Sequence, residues 1–180
     1  MAEKYVALLR AINLAGKNMA AMADLRAMME RGGFENVQTL LQSGNVVFAA
    51  GRRAPASIEK TLEAAFAKRF GFASDHFIRS GAELQSVIAG NPFPKEASAD
   101  PGHLLVVFLK DDATPAAVKE MQAAIKGREI VCAKGRHAYI YYPDGVGRSK
   151  LTAALIEKHL GCRGTARNWN TVLKLAAAVA

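Results

Sequence analysis

Three short polar segments of this chain combine residue types that could bind an anion. The first joins a loop that follows an apolar run to a predicted hairpin, and it offers amides, a hydroxyl and cations: Arg10, Asn13, Lys17, Asn18, Gln42, Ser43 and Asn45. The glycines at positions 16 and 44 would let backbone N–H groups come close to a ligand. The alternative is that these residues only build turns, in which amide side chains bond to loop backbone.

The second segment, residues 144–150, is glycine-rich and basic and lacks the GxxxxGK[ST] spacing of a Walker loop. We expect it to open a helix, with Arg148 and Lys150 at the positive end of the helix dipole. Cations are unfavourable there by about 0.3–1 kcal/mol, and a bound anion would reverse that cost. We therefore predict an anion site at Arg148, Ser149 and Lys150, with Lys17 or Arg167 sharing it. The alternative is that both cations simply reach solvent.

The third segment surrounds the only tryptophan of the chain and reads Arg167-Asn168-Trp169-Asn170. Trp169 could offer a stacking surface in a pocket lined by the arginine and the amides. Alternatively, Trp169 anchors the last helix to the core, and Asn170 or Thr171 caps that helix.

Motifs for a defined reaction are missing from the sequence. The four histidines are scattered without metal-ligand spacing, and no Gly-x-Ser-x-Gly elbow occurs. Cys132 and Cys162 have no ligand-like spacing, and Cys162 has no evident base beside it. We expect neither a metal nor a cofactor.

Composition and charge bound the class of protein. The chain has 180 residues, of which 51% are hydrophobic and 22% charged, as in a globular protein. Its net charge is +8, and the excess lies in the second half: residues 101–180 carry 12 Lys and Arg against 6 Asp and Glu. A basic surface favours partners that carry phosphate. No apolar run approaches the roughly 20 residues that cross a bilayer, and no secretory signal is evident, so we expect a cytoplasmic protein without a membrane partner.

The hydrophobic periodicity predicts an α+β fold made of two ferredoxin-like subdomains with antiparallel sheets. The element order is β-α-β-β-α-β in the first half, and the second half repeats it without its last strand. Residues 1–90 are predicted to form the N-terminal subdomain, 91–102 a linker rich in Pro, Gly and Ser, and 103–180 the C-terminal subdomain with a final helix. In this topology the first loop and the first hairpin fall at the same end of the sheet. The predicted buried residues are Leu8, Val47, Leu62, Phe66, Val106, Phe108, Ile140 and Leu155.

Four ordered motifs carry a resemblance to a known family. They are Tyr5-Val6-Ala7-Leu8-Leu9-Arg10 with Ile12-Asn13 and Gly16-Lys17-Asn18, Gln42-Ser43-Gly44-Asn45-Val46-Val47-Phe48, Pro143-Asp144-Gly145 with Arg148-Ser149-Lys150-Leu151, and residues 165–172. In these the chain resembles the domain-of-unknown-function 1697 family over nearly its whole length. The resemblance implies a bacterial, cytoplasmic α+β protein with ferredoxin-like parts and no established activity. The family's first motif usually has glycine where this chain has Ala11 and Ala15, which tightens the first loop sterically.

Two functions remain open at this point. One is the binding of a phosphate-bearing anionic ligand, either nucleic acid or a nucleotide, at a basic and amide-rich site. The other is a small-molecule enzyme with its site in the cleft between the two subdomains.

Overall fold

A computed structural model describes residues 2–41 and 44–180 of the chain. The chain divides into two compact units. Unit 1 comprises Met1–Gln85 and Leu175–Ala180, and unit 2 comprises Ser86–Lys174. None of the helices in the described ranges is long and apolar enough to cross a membrane.

Unit 1 is built on a four-stranded antiparallel sheet in the order β2-β3-β1-β4. Its elements are β1 (Glu3–Leu9), α1 (Met22–Arg31), β2 (Glu35–Leu40), β3 (Asn45–Ala50), α2 (Pro55–Phe70) and β4 (His76–Ser80). The helix α3 (Gly81–Ala89) follows directly and crosses the boundary between the units at Gln85 and Ser86. In the sheet register, Tyr5 pairs with Phe48 on one side and with Ser80 on the other.

Unit 2 repeats this arrangement with the sheet order β6-β7-β5-β8. Its elements are α4 (Pro94–Ala99), β5 (Leu104–Leu109), α5 (Pro115–Ala124), β6 (Ile130–Lys134), β7 (His137–Tyr141), α6 (Ala153–Leu160) and β8 (Gly164–Asn168). The last helix, α7 (Trp169–Val179), begins in unit 2 and ends in unit 1.

The predicted fold class, two ferredoxin-like subdomains with antiparallel sheets, is confirmed. The prediction that the second half lacks its last strand is wrong, because Gly164–Asn168 forms β8 along β5. Within the segment predicted as a linker, residues 94–99 form α4, whose first turn begins at Pro94. Proline suits that position, since the N–H it lacks would have no partner inside the helix.

The cores lie between one face of each sheet and the helices that follow its strands. In unit 1 the residues of β1 that face α1 and α2 are Tyr5, Ala7 and Leu9. Seven of the eight residues predicted to be buried are buried: Leu8, Val47, Leu62, Phe66, Val106, Phe108 and Ile140. The eighth, Leu155, is wrong, because its side chain is 39% exposed. The helix α6 begins at Ala153, later than predicted, and Ile156 and Leu160 are the residues of this helix that face the core.

Edge strand β4 is completed by carboxylates. The register with β1 turns the N–H groups of residues 76, 78 and 80 away from the sheet. Glu63 Oε1 accepts from the His76 N–H at 2.9 Å, and Glu59 Oε1 accepts from the Ile78 N–H at 3.0 Å. These two glutamates lie one turn apart on α2, and therefore they fix that helix along the strand.

The third outward N–H of β4, that of Ser80, belongs to a capping box at the start of α3. Glu83 Oε2 accepts from the Ser80 N–H at 2.8 Å, and Ser80 Oγ accepts from the Glu83 N–H at 3.2 Å. This reciprocal pair starts α3 where β4 ends.

Replacing Phe66 with Ala should lower the free energy of unfolding by about 3–5 kcal/mol. The ring is fully buried, and its centroid lies 4.6 Å from that of Phe70 and 5.2 Å from that of Phe72, so the vacated space cannot close easily. Urea unfolding would measure the change, with the exposed Lys68→Ala on the same helix as a control expected within about 0.5 kcal/mol of wild type. A loss below about 1 kcal/mol for the phenylalanine variant would contradict the packing described.

Replacing Glu63 with Ala should destabilise the chain by about 1–3 kcal/mol, because the outward N–H of His76 loses its acceptor. Glu63→Gln keeps a carbonyl oxygen on a side chain of the same length and should recover most of that loss. Equal losses for the two variants, measured by urea unfolding, would show that the accepted hydrogen bond is not the source of the stability.

Candidate functional site

A pocket of about 520 Å³ opens in unit 2 between α5, α6 and the segment that joins β7 to α6. Its volume is in the range of small-molecule sites, about 300–1,000 Å³. It is lined by Met121, Ala124, Ile125, Lys126, Gly127, Glu129, Asp144, Arg148, Ser149, Lys150, Leu151, Leu155 and His159. Arg148, Ser149 and Lys150, the three residues of the predicted anion site, therefore line one concave surface.

Three cations lie on this pocket: Lys126, Arg148 and Lys150. All three side chains are exposed. Within residues 2–41 and 44–180, none of them forms an ion pair or a side-chain hydrogen bond. His159 adds an imidazole to the same surface. The pocket thus gathers positive charge that has no carboxylate bound to it.

The two carboxylates of the pocket are already engaged. Asp144 Oδ2 accepts from Arg128 Nε at 3.0 Å, and the second oxygen of Asp144 pairs with the same guanidinium. That bidentate hydrogen bond lowers the pKa of the Asp144 carboxyl. Glu129 accepts a hydrogen bond from Ser149 Oγ. Arg148 also lowers the pKa of Asp144 electrostatically, but within the described residues neither acidic group forms an ion pair with the three cations.

The wall of the pocket is aliphatic rather than aromatic. Met121 and Leu151 belong to the buried core of unit 2, and Leu155 presents a half-exposed side chain beside them. The buried phenol of Tyr142 donates to the Leu151 carbonyl at 3.4 Å, and burial raises the pKa of Tyr142 to about 12. This contact joins the segment between β7 and α6 to the core.

The prediction that residues 144–150 open a helix is wrong. Val146–Arg148 forms a single 3-10 turn, and Ser149 is extended. The helix α6 starts at Ala153, because the Thr152 hydroxyl accepts from the Leu155 N–H at 3.3 Å and caps it. Arg148 and Lys150 therefore do not lie at the start of a helix, and the helix-dipole argument for an anion does not apply to them. What places them on the pocket is the path of the segment between β7 and α6.

The first predicted segment lies in unit 1, and its amides hold the local backbone. Asn13 donates through Nδ2 to the Ala20 carbonyl at 3.0 Å and accepts from the Ala20 N–H at 2.8 Å. Asn18 Nδ2 donates to the Ala11 carbonyl at 3.2 Å. The buried Asn45 donates to the Leu40 carbonyl at 2.9 Å. These contacts match the turn-building alternative of the sequence analysis.

The other described residues of this segment, Arg10 and Lys17, differ in their surroundings. Arg10 forms an ion pair of 3.3 Å with Asp75, and Lys17 is exposed. Gln42 and Ser43 lie outside the described residues. Gly44 lies close to the chain that follows β1, since an added Cβ there would lie 2.9 Å from the side chain of Ile12.

The backbone of the first loop is strained at Ala11 and Ala15, the two positions where alanine replaces the glycine that is usual in the resembling family. Ala11 and Ala15 have φ values of 54° and 47°, in the left-handed region that glycine occupies without cost. Gly16 between Ala15 and Lys17 has a φ of 75°. The two positions where the resembling family usually has glycine thus retain a glycine-like backbone here.

The third segment is structural at its tryptophan. Trp169 is buried, which confirms the burial expected of an anchor. The cap of α7 is Asn168, whose Oδ1 accepts from the Thr171 N–H at 2.9 Å, so the expectation of a cap at Asn170 or Thr171 is wrong. Asn170 is exposed.

Arg167 does not line the pocket. It pairs with Val106 across β5 and β8, and paired residues point to the same face of a sheet. The neighbouring Val107 faces the core under α5 and α6, so Arg167 points to the opposite face. Its guanidinium donates to Thr165 Oγ1 and to the Ala166 carbonyl, both at 2.8 Å, and burial lowers the pKa of Arg167 to about 10.

The part of the pocket that α5 and α6 supply was not predicted from the sequence. Met121 and Ile125 lie one turn apart on or just after α5, and Lys126 and His159 complete the polar rim. The available signal was the end of α5, where Lys126 and Gly127 follow an amphipathic helix. Among the described residues no group of His, Cys, Asp or Glu could hold a metal ion, and burial raises the pKa of the Cys162 thiol.

Comparison with known proteins identifies the kind of chain but not its chemistry. The profile of a family described as a protein of unknown function, DUF1697, matches residues 2–139. A solved structure of a conserved bacterial protein from Streptococcus pneumoniae is similar over 100% of both chains, with 21% sequence identity and a TM-score of 0.78. At that identity the likeness concerns the fold alone. No curated protein matches the chain.

Replacing Ala15 with Gly should stabilise the protein by about 0.5–1 kcal/mol. A left-handed conformation costs an alanine about 1–2 kcal/mol, and glycine removes that cost. Glycine also makes the unfolded chain more flexible, which offsets about 0.4–1 kcal/mol of the gain. The matched control is Ala64→Gly at an exposed position inside α2, where the same substitution should destabilise by about 1 kcal/mol. A loss of stability at both positions in thermal unfolding would contradict the strain described for the loop.

Proposed function

We propose that this chain, which belongs to the DUF1697 family of proteins of unknown function, binds a phosphate-bearing anionic ligand in the basic pocket of unit 2. The observation that carries the proposal is the placement of Lys126, Arg148 and Lys150 on one concave surface, without carboxylate partners in the described ranges.

The charge balance of the pocket favours an anion. Asp144 forms its ion pair with Arg128 and interacts with Arg148 only through longer-range electrostatics, and Glu129 accepts from Ser149, so within the described residues neither carboxylate forms an ion pair with the three cations, which outnumber the two carboxylates. Like charges gathered on one surface repel each other, and this cost grows when solvent is displaced from between them. A phosphate offers several acceptor oxygens and would turn that repulsion into attraction.

The shape of the site favours a nucleotide over a polynucleotide. The pocket is concave and has the volume of a small-molecule site. Its aliphatic wall of Met121, Ile125 and Leu155 can cover an apolar part of a ligand whose phosphate lies on the cations. Proteins that track single-stranded nucleic acid instead use an open basic groove with aromatic side chains for stacking. Among the described residues that line this pocket there is no Phe, Tyr or Trp.

Replacing Arg148 or Lys150 with Ala should weaken the binding of a nucleoside triphosphate about tenfold, or about 1.4 kcal/mol, because each variant removes one charge-assisted contact. Isothermal titration of the wild type and both variants, with the nucleotide and with inorganic phosphate, would measure the change. The matched control is Lys158→Ala, which removes an exposed lysine on α6 that does not line the pocket and should bind as the wild type does.

The same titrations with short RNA and duplex DNA at about 50 and 200 mM salt separate the two ligand classes. Duplex DNA would show a log–log slope near −0.9 for each neutralised phosphate, whereas a ligand held in a pocket depends less on salt. If Arg148→Ala and Lys150→Ala bind every anion as tightly as the wild type, the pocket is not the binding site and the proposal fails.

A further inference from the structure

A second concave surface in unit 2 lies between α5 and the edge strand β6. This groove has a volume of about 790 Å³ and shares no lining residue with the basic pocket. Its lining is mainly small and apolar, with two lysines and one glutamine: Ala113, Pro115, Val118, Lys119, Gln122, Ala123, Val131, Cys132, Ala133, Lys134 and Gly135.

The backbone of β6 is open on the side of this groove. Strand β6 is the terminal strand of the sheet, and within the described residues it pairs only with β7. The hairpin closes with the pair Lys134 and His137, so the hydrogen-bonded pairs alternate from there through Cys132. The N–H and C=O groups of Val131 and Ala133 consequently point away from β7.

The outward N–H of Val131 is already hydrogen-bonded to a side chain. Gln122 on α5 accepts from the Val131 N–H at 2.8 Å and donates to the Glu129 carbonyl at 3.1 Å. The outward N–H and C=O of Ala133 have no such partner among the described residues. The glutamine closes one end of the edge, and the other end remains available for main-chain pairing.

We propose that an extended acidic segment of a partner protein adds to β6 as a further strand and fills the groove along α5. Exposed sheet edges bind extended peptides through main-chain hydrogen bonds, and alternate side chains enter the neighbouring groove. Small apolar side chains of the segment would contact Val118 and Ala133.

The charges of the groove select an acidic partner. Lys119 and Lys134 lie on the groove, and neither has an acidic partner within the described part of the chain. A second copy of this chain pairing through its own β6 would add another Lys119 and another Lys134 to the same surface, and like charges gathered on one surface repel each other. Carboxylates on the bound segment remove that repulsion.

The probe is a fluorescein-labelled octapeptide of alternating Val and Glu, and its binding is followed by fluorescence anisotropy. We expect saturable binding to the wild type and none to the matching peptide of alternating Val and Lys. Ala133→Pro should weaken binding about tenfold, or about 1.4 kcal/mol, because proline removes the outward N–H. Proline is tolerated at such edge positions, and thermal unfolding checks that the variant is folded.

Two charge reversals test the groove without touching the backbone. Lys119→Glu and Lys134→Glu should each weaken binding of the Val-Glu peptide, whereas Lys126→Glu in the basic pocket should leave it unchanged. The nucleotide titrations of the basic pocket should be unaffected by Ala133→Pro, so the two proposals fail separately. The proposal is overturned if the wild type does not bind the Val-Glu peptide, if Ala133→Pro binds it equally, or if sedimentation shows a dimer that Ala133→Pro dissociates.

Discussion

Each sheet in this chain ends in strands whose outward backbone groups need partners, and the helices supply several of them through side chains. Glu59 and Glu63 on α2 accept from β4, Glu157 on α6 accepts from the Gly164 N–H of β8, and Gln122 on α5 accepts from β6. Because an unpaired buried N–H is costly, these contacts set where each helix lies along its sheet. In unit 2 they fix α5 at one edge and α6 at the other. The basic pocket lies between these two helices, and its shape therefore follows from how the edges are satisfied.

The last strands of the two sheets, β4 and β8, end with the same set of hydrogen bonds made by different residues. In both strands a buried arginine, Arg79 or Arg167, donates to the carbonyl of the residue before it at 2.8 Å. In both, the next residue, Ser80 or Asn168, caps the helix that follows. At Ser80 the cap is reciprocal, because Glu83 also accepts from the Ser80 N–H. At Asn168 the cap is the single hydrogen bond that its side chain accepts from the Thr171 N–H. The repeat is therefore one of hydrogen-bonding roles, and a comparison of residue identities does not detect it.

The sequence predicted what depends on periodicity and missed what depends on long-range partners. The order of strands and helices and the burial of Phe66 follow from the alternation of apolar residues, and both are correct. The start of α6 was misplaced because its cap is Thr152 and not an earlier polar residue, and the face of α6 that packs on the core carries Ile156 and Leu160 and not Leu155. Strand β8 was missed because a buried arginine interrupts its apolar pattern. Arg148 and its neighbours were predicted from their charge, whereas the wall that α5 contributes depends on tertiary packing.

Unit 1 is made from two separate stretches of chain, and this has a consequence for synthesis on the ribosome. Residues Leu175–Ala180 belong to this unit, and Leu175, Ala176 and Val179 are buried. Lys4 Nζ donates to the Ala180 carbonyl at 2.8 Å, so the first strand contacts the final residue across almost the whole chain. Although residues 2–85 are translated first, unit 1 cannot be completed until residue 180 has left the exit tunnel. Helix α7 also carries the last residues of unit 2, so one helix completes both units.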